Sequence, residues 1–443
     1  MKAIKGKWLI LSWDEVREDS AVLIENGRVY DIVSNASVDG LVEKGELLPT
    51  EVEDRRDCIL FPGFVNAHMH QYGILSHGIP QAGQVTDFES FLREYWWPYI
   101  ENRIRKEQVL VTAKASIAEM IHSGITSFCD ILEAPYTEED TLIAQGNLIE
   151  SCGMRGVVSL ESSERISLEN GKACLKQNRE AAEYFQKKGG TVRGAVCTHT
   201  TFTCSGGLIR EAAKMAGEQG FLLQFHLSES RYEPEQLMKK QQISPTELYF
   251  RENALGENTI ATQCVKVSEE EMKLLKETKT GVVHMPISNC EVGGGIAPVP
   301  EMLDGGIRSA LGTDGYVNDF FQVMRMAFLI HKAALESTET MPAALVFRMA
   351  TEYGADVCGF KGCGRLQKGC QADVVVYEDR QPTPVTEGNI FDQLVVYGNS
   401  SNVRDVYVQG KEIMKNHEIL TMDEKESLES MRVCAENFWR EIH

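Results

Sequence analysis

Short apolar runs alternate with amphipathic stretches through the middle of this 443-residue chain. The apolar runs recur near 60–68, 124–131, 156–160, 192–198, 221–226, 259–267, 281–286 and 308–312. They are brief and lack steady polar alternation, the pattern of strands covered on both faces. Between them, 107–122, 207–220 and 268–280 carry apolar residues at helical spacing. Ser268 followed by Glu271 is a capping box, a helix-start signal. Eight strands, each followed by helical sequence, predict an α/β fold, a (β/α)8 TIM barrel.

The two ends of the chain have a different texture. Strand patterns fill 8–12, 20–25 and 28–33, and Asn26-Gly27 between the last two is a hairpin signal. A similar texture returns at 372–377, 392–397 and 403–409, with a turn at Gln409-Gly410, before a closing helix over 423–442. Neither end holds enough apolar residues for a core of its own. The expectation is one small β-sandwich domain formed by both chain termini, 1–60 plus 371–443, around a barrel at 61–370.

Candidate chemistry lies at the ends of the predicted strands. The run Phe61-Pro62-Gly63-Phe64-Val65-Asn66-Ala67 leads into His68-Met69-His70. Residues two apart on a strand point the same way, so His68 and His70 converge on one point, half of a metal site. Three later strands end in His199, in His226 with Glu229 three residues on, and in Asp314 between glycines. Activity in barrels of this type sits at the C-terminal ends of the strands. The motif and the fold therefore support each other. His284, inside the seventh strand, reads as a core histidine.

Charge and cysteine usage narrow the partners. A net charge of -20 repels phosphates and argues against nucleic acid. No apolar run is long enough to cross a bilayer, and the N-terminal residues lack the apolar core of a signal peptide. No membrane partner and a cytoplasmic location are expected. The 12 cysteines include no C-x-x-C pair and sit mostly in apolar runs, as reduced thiols do.

At this point the sequence resembles the amidohydrolase superfamily, within it the cytosine deaminase-like and chlorohydrolase-like group of metal-dependent aminohydrolases. The resemblance rests on 62–70, His199-Thr200-Thr201-Phe202-Thr203-Cys204-Ser205, His226-Leu227-Ser228-Glu229, Pro286-Ile287-Ser288-Asn289, 295–299, 311–315, 349–351 and 369–376. It implies a metal held by His68, His70, His226 and Asp314, zinc or iron. It implies one ion rather than two, because strand four ends in His199 and not in the lysine that bridges paired ions. Such an ion lowers the pKa of its bound water toward ~7 and supplies hydroxide. Asp314 would accept the water's proton and Glu229 would carry it to a ring nitrogen, with ammonia lost from an aromatic C–NH2. The expected partner is a small heterocyclic substrate of purine, pterin, pyrimidine, nucleoside or triazine type, in a homodimer or higher homo-oligomer.

One departure stands out. The family's deaminases carry a histidine at the end of strand six, where this chain has Gln263. An amide donates a hydrogen bond but cannot take up a proton as imidazole does. Altered substrate, altered leaving group and reduced catalysis all remain open. So do cleavage of a C–Cl, C–S or cyclic amide bond, and a metal-binding homologue without activity. A cytidine deaminase of the other fold class is excluded by the lack of H-x-E and P-C-x-x-C ligands. For substrate contacts the sequence offers His199, Glu89 in the insertion after strand one, where relatives bind ribose, and Trp97 within an aromatic cluster at 95–99.

Overall fold

A computed structural model describes residues 1–79 and 84–440. The barrel strands are Phe64–Met69, Ile125–Asp130, Arg155–Val158, Val192–Gly194 continued by Val196–Cys197, Leu223–Leu227, Thr259–Gln263, Gly281–His284 and Ser309–Leu311. They pair in parallel and in chain order, as a four-stranded and a five-stranded sheet that meet at Ala195. A parallel bridge between Met69 and Asp314 links the chain beyond the last strand to the first. The amides of Thr313 and Asp314 donate to the His68 carbonyl at 3.0 and 3.2 Å. This places two of the sequence's candidate strand ends side by side.

Nearly every residue of these strands is buried, as their unbroken apolar pattern requires. The expected helices are present at Lys106–His122, Gly206–Gln219 and Glu269–Glu277. The last is capped by Ser268, with Glu271 returning the bond.

Both termini contribute to a single nine-stranded sheet. Val52–Pro62 lies in its middle, parallel to Lys2–Ser12 on one side and antiparallel to Val374–Glu378 on the other. Two hairpin turns fall where the sequence placed them. Asn26 and Gly27 have φ of 51° and 76°, and Gln409 and Gly410 have 50° and 71°. Positive φ at both central residues is the geometry that matches strand twist.

Two expectations need correction. The run near 60–68 is not one strand. It is cut at Gly63 into Val52–Pro62 of the terminal sheet and Phe64–Met69 of the barrel. A Cβ at Gly63 would lie 2.2 Å from Thr126 Oγ1, so the chain can cross between the two only as glycine. The expected strand at 392–397 is instead the helix Ile390–Val395. Ile390 and Leu394, four apart, are buried together, and Phe391 packs on Phe347 at 5.2 Å. The closing helix spans Glu424–Arg440, and the expected residues 441–442 lie outside the described residues.

A buried ion pair pins the sheet to the barrel. Arg155 of the third barrel strand bonds Asp373, which stands before Val374–Glu378 and also accepts from the Gln409 amide at 2.8 Å.

Candidate metal centre and active site

His68, His70 and His226 come together as a group that can hold a metal ion, their ligand atoms all within 4.8 Å. Each is placed by a strand end. Pleating turns Asn66, His68 and His70 to one side, and Asn66 Nδ2 ties that side to Thr313 Oγ1 at 2.8 Å. His70 Nδ1 bonds the Ile131 carbonyl at 2.7 Å. A carbonyl can only accept, so Nδ1 carries a proton and Nε2 is the ring atom that would face a metal. That Nε2 lies 3.4 Å from His226 Nε2 and 3.2 Å from Asp314 Oδ1. The four expected ligands are thus neighbours at the same mouth of the barrel.

The donor set fits a divalent ion on one further observation. Both ring nitrogens of His68 are buried without a hydrogen-bond partner. A buried polar atom left unpaired costs about 1–3 kcal/mol, and a metal would remove that cost for one of the two. Burial, and then the neighbouring His70, push the His68 imidazole down to about 3, which keeps it neutral and ligand-ready.

Asp314 sits in the left-handed region at φ 60°, held by its own contacts. Its Oδ1 accepts from the Gly315 amide at 2.8 Å, and Oδ2 accepts from Ser288 Oγ at 2.6 Å and Gln263 Nε2 at 3.0 Å. Burial opposes its charge, but the bond and charge of His70 outweigh burial and hold the carboxyl well below the usual range. Gln263 is buried at φ 61°, and its Oε1 accepts from Thr262 Oγ1 at 2.6 Å. Its amide donor is therefore engaged with Asp314.

Glu229 lines the same inner chamber as His70, His226, Gln263 and Asp314. Burial, then the charges of Asp314 and Glu133, push its carboxyl well above the usual glutamate value. The chamber has a volume of about 40 Å3. Outside it lies a cleft of about 1110 Å3. Phe88, Phe91, Trp96, Val292 and Tyr316 border both. Phe91–Trp96 form a π-helical turn, a rare geometry that frequently marks functional sites.

The expected substrate contacts divide. His199 lines the inner chamber, with Nδ1 bonded to Thr203 Oγ1 at 2.7 Å. Glu89 lines the outer cleft and pairs with Arg93 at 3.0 Å. Trp97 borders neither cavity. It is buried between the guanidiniums of Arg93 and Arg165, at 5.5 and 4.8 Å, with its ring 6.4 Å from His199. Its neighbour Trp96 is the member of the 95–99 cluster at the chamber wall. His284, expected as a core histidine, is buried against His331, with Nε2 atoms 3.1 Å apart.

An acidic half of the chamber was not foreseen. Glu133 follows strand two and Glu161 follows strand three, both 5 % exposed. Glu101 joins them, bonded to Arg165 at 2.5 Å. Tyr72 donates its hydroxyl to Glu133 and receives a bond from Trp96 Nε1 at 3.2 Å. Burial, opposed by His70 and reinforced by Glu161, pushes Glu133 up to about 8. The strand-end rule that found the histidines would have found these glutamates, had carboxylates a few residues past strands two and three been followed.

Comparison with known proteins gives this geometry a family. The amidohydrolase family model matches residues 59–413. The chain belongs to the amidohydrolase family. A relative called 5-methylthioadenosine/S-adenosylhomocysteine deaminase, from Syntrophobacter fumaroxidans, is 32% identical over 445 residues, covering 98% of this chain and 97% of that one. A 5'-deoxyadenosine deaminase from Methanosphaera stadtmanae is 29% identical over 428 residues, 96% of each chain. Among solved structures, a zinc-bound adenosine deaminase from Xanthomonas campestris aligns with a TM-score of 0.89 at 22% identity, over 98% of each chain. The zinc complex of atrazine chlorohydrolase TrzN from Arthrobacter aurescens aligns at 0.84 and 19%, over 98% of this chain and 100% of that one. These two likenesses fix the fold of this amidohydrolase as the TIM-barrel type of its family. No helix among its described residues is long and apolar enough to cross a membrane.

Proposed function

We propose that this amidohydrolase hydrolytically deaminates a nitrogen heterocycle of purine, pterin, pyrimidine, nucleoside or triazine type, releasing ammonia. The observation that carries the reading is Glu229. It shares a chamber with His70, His226 and Asp314, residues of metal-ligand type, and a site that only stored metal would have no use for a further carboxylate there. Relatives named as deaminases of adenosine derivatives support the same reaction class.

One divalent ion per chain, zinc, would be held by His68, His70, His226 and Asp314; when bound it would polarise a water and lower that water's pKa. The rest is done by side chains. Glu229 takes the water's proton and delivers it to a ring nitrogen beside the amino-bearing carbon. A C–O bond forms at that carbon, the C–N bond breaks, and the amino group leaves as ammonia with the remaining proton. Asp314 shares this proton traffic, but the two donors on Oδ2 reduce its basicity, which shifts the main role to Glu229. Gln263 acts through Asp314, fixing its carboxylate plane. His199 contacts the ring, Trp97 supports His199 from behind, and Glu89 meets the substrate's outer portion in the cleft.

We further propose a division into a terminal domain, 1–60 plus 371–443, and a catalytic domain, 61–370, in a cytoplasmic homodimer or higher homo-oligomer. The connected terminal sheet supports the division. The test of the reaction is an ammonia-release screen of zinc-loaded protein over aminated purines, pterins, pyrimidines and triazines. Ammonia with the matching oxo product is expected. Release of chloride, thiol or a ring-opened acid, with no ammonia from any ring, would assign the site to another amidohydrolase bond.

A further inference from the structure

The acidic half of the chamber specifies what the ring must carry. Glu133 and His199 line the chamber, and Glu161 stands behind them. Glu161 Oε2 is buried without a hydrogen-bond partner, 3.8 Å from His199 Nε2. Glu133 Oε1 lies 3.9 Å from His226 Nε2. The nearby guanidinium, Arg165, bonds Glu101 at 2.5 Å and Asn102 at 2.7 Å and leaves its Nε unpaired. Neither Glu133 nor Glu161 receives a hydrogen bond from it.

His199 stands between Thr203 and Glu161. Its Nδ1 is 2.7 Å from Thr203 Oγ1, and its Nε2 faces Glu161. The donors around the chamber are committed elsewhere. Gln263 Nε2 and Ser288 Oγ bond Asp314, and Trp96 Nε1 bonds Tyr72, leaving the Tyr316 hydroxyl. Converging buried acceptors need donors from a ligand.

We propose that the inner chamber takes the guanidine-type edge of a planar, donor-rich heterocycle, in which one amino group is hydrolysed and a second, with its adjoining ring N–H, is anchored by Glu133 and Glu161, the rest of the ring system extending into the outer cleft. This deepens the deaminase reading and rests on it for the fate of the first amino group. The aromatic walls, Phe88, Phe91, Trp96 and Tyr316, suit a flat delocalised cation rather than a bare ion. Glu133, His199 and His226 do lie within metal-binding spacing of one another. But His226 Nε2 is 3.4 Å from His70 Nε2 and belongs to the first group, and one imidazole nitrogen binds one ion. What remains are two members of the second group.

The experiment is calorimetric binding to the zinc-loaded protein of 2-aminobenzimidazole, a planar guanidinium, against benzimidazole, which lacks the amino group. The first should bind at least about 10-fold more tightly, and Glu133→Gln and Glu161→Gln should each weaken it by about 10–100-fold, the scale of a lost charged hydrogen bond. Benzimidazole should change less than about threefold, with zinc content constant. Equal affinity of the two probes for the unmodified protein would overturn the proposal, with no variant needed. A second equivalent of zinc, lost in Glu161→Gln, would overturn it in favour of a metal. Ammonia release from mono-amino rings as fast as from 2,6-diaminopurine would remove this inference and leave the deaminase reading standing. Guanidinium binding without ammonia from any ring would do the reverse.

Discussion

The chamber has two halves that satisfy their buried polar groups in opposite ways. In the metal half, imidazole nitrogens of His68 and His226 have no protein partner, and Asp314 is ringed by donors. In the acidic half, three carboxylates, Glu101, Glu133 and Glu161, gather around one guanidinium, Arg165, which hydrogen-bonds only Glu101 of the three. Strand ends one, five, six and eight build the first; strand ends two, three and four build the second. The contrast teaches that one ring of strand termini can be polarised across its width. One side is prepared to activate water and the other to hold the ring that water attacks.

The strongest way to break the contrast is to remove the metal half. His68→Ala/His70→Ala should leave almost no bound divalent ion by elemental analysis and no measurable turnover. Stoichiometric metal in that protein would void the ligand assignment. Next in size is Glu229→Gln, which keeps the shape but not the proton. Turnover should fall by about 10²–10⁴ while metal content holds. A variant with ordinary turnover would route the proton elsewhere. Gln263→Leu removes one of two side-chain donors from Asp314 Oδ2 and should cost roughly 10²-fold in kcat. Gln263→His should change turnover or substrate choice without unfolding. Equal kcat for the unmodified protein and Gln263→Leu would separate residue 263 from the chemistry.

The smallest effect sharpens the reading of the metal half. His284 and His331 are also buried imidazoles, but they have each other. Burial pushes His331 down to about 4 from 6.5, so the fold favours its neutral form. The stability this contributes is present above pH 6.5 and is lost as pH falls from there toward 4, by up to about 3 kcal/mol. Denaturant midpoints of His331→Phe should show a shallower acid slope across that window than the unmodified protein. Parallel slopes would mean that the pair does not sense protons.

What the sequence revealed, it revealed through local rules. His-x-His on one strand fixes its own geometry within three residues, and Asn26-Gly27 specifies a turn by its dihedrals alone. The eight barrel strands were visible because burial on both faces leaves an apolar run. Glu133 and Glu161, a few residues past strands two and three, were open to the same strand-end rule, whereas Glu101 comes from the insertion after strand one and gains its meaning only where the chain folds back on them. The helix Ile390–Val395 read as a strand because six residues hold too few turns for the two periods to separate. Gly63 hid a boundary because a strand can pass from one sheet to another with no break in its apolar pattern. The engagement of Gln263 with Asp314, in place of a free donor, depends on a left-handed turn that composition does not announce.

The central strand of the terminal sheet carries a kinetic consequence. Val52–Pro62 pairs with Val374–Glu378, a partner more than 300 residues later in the chain. Closing so long a loop is slow, and during synthesis one edge of that strand waits for most of the protein to emerge. Val52–Pro62 is joined through Gly63 alone to the strand that bears His68, so the long-range pairing and the ligand strand share one stretch of backbone. Folding should therefore be rate-limited by a late step in which the sheet and the metal centre mature together, and the unpaired edge is the point at which a nascent chain is most exposed to aggregation.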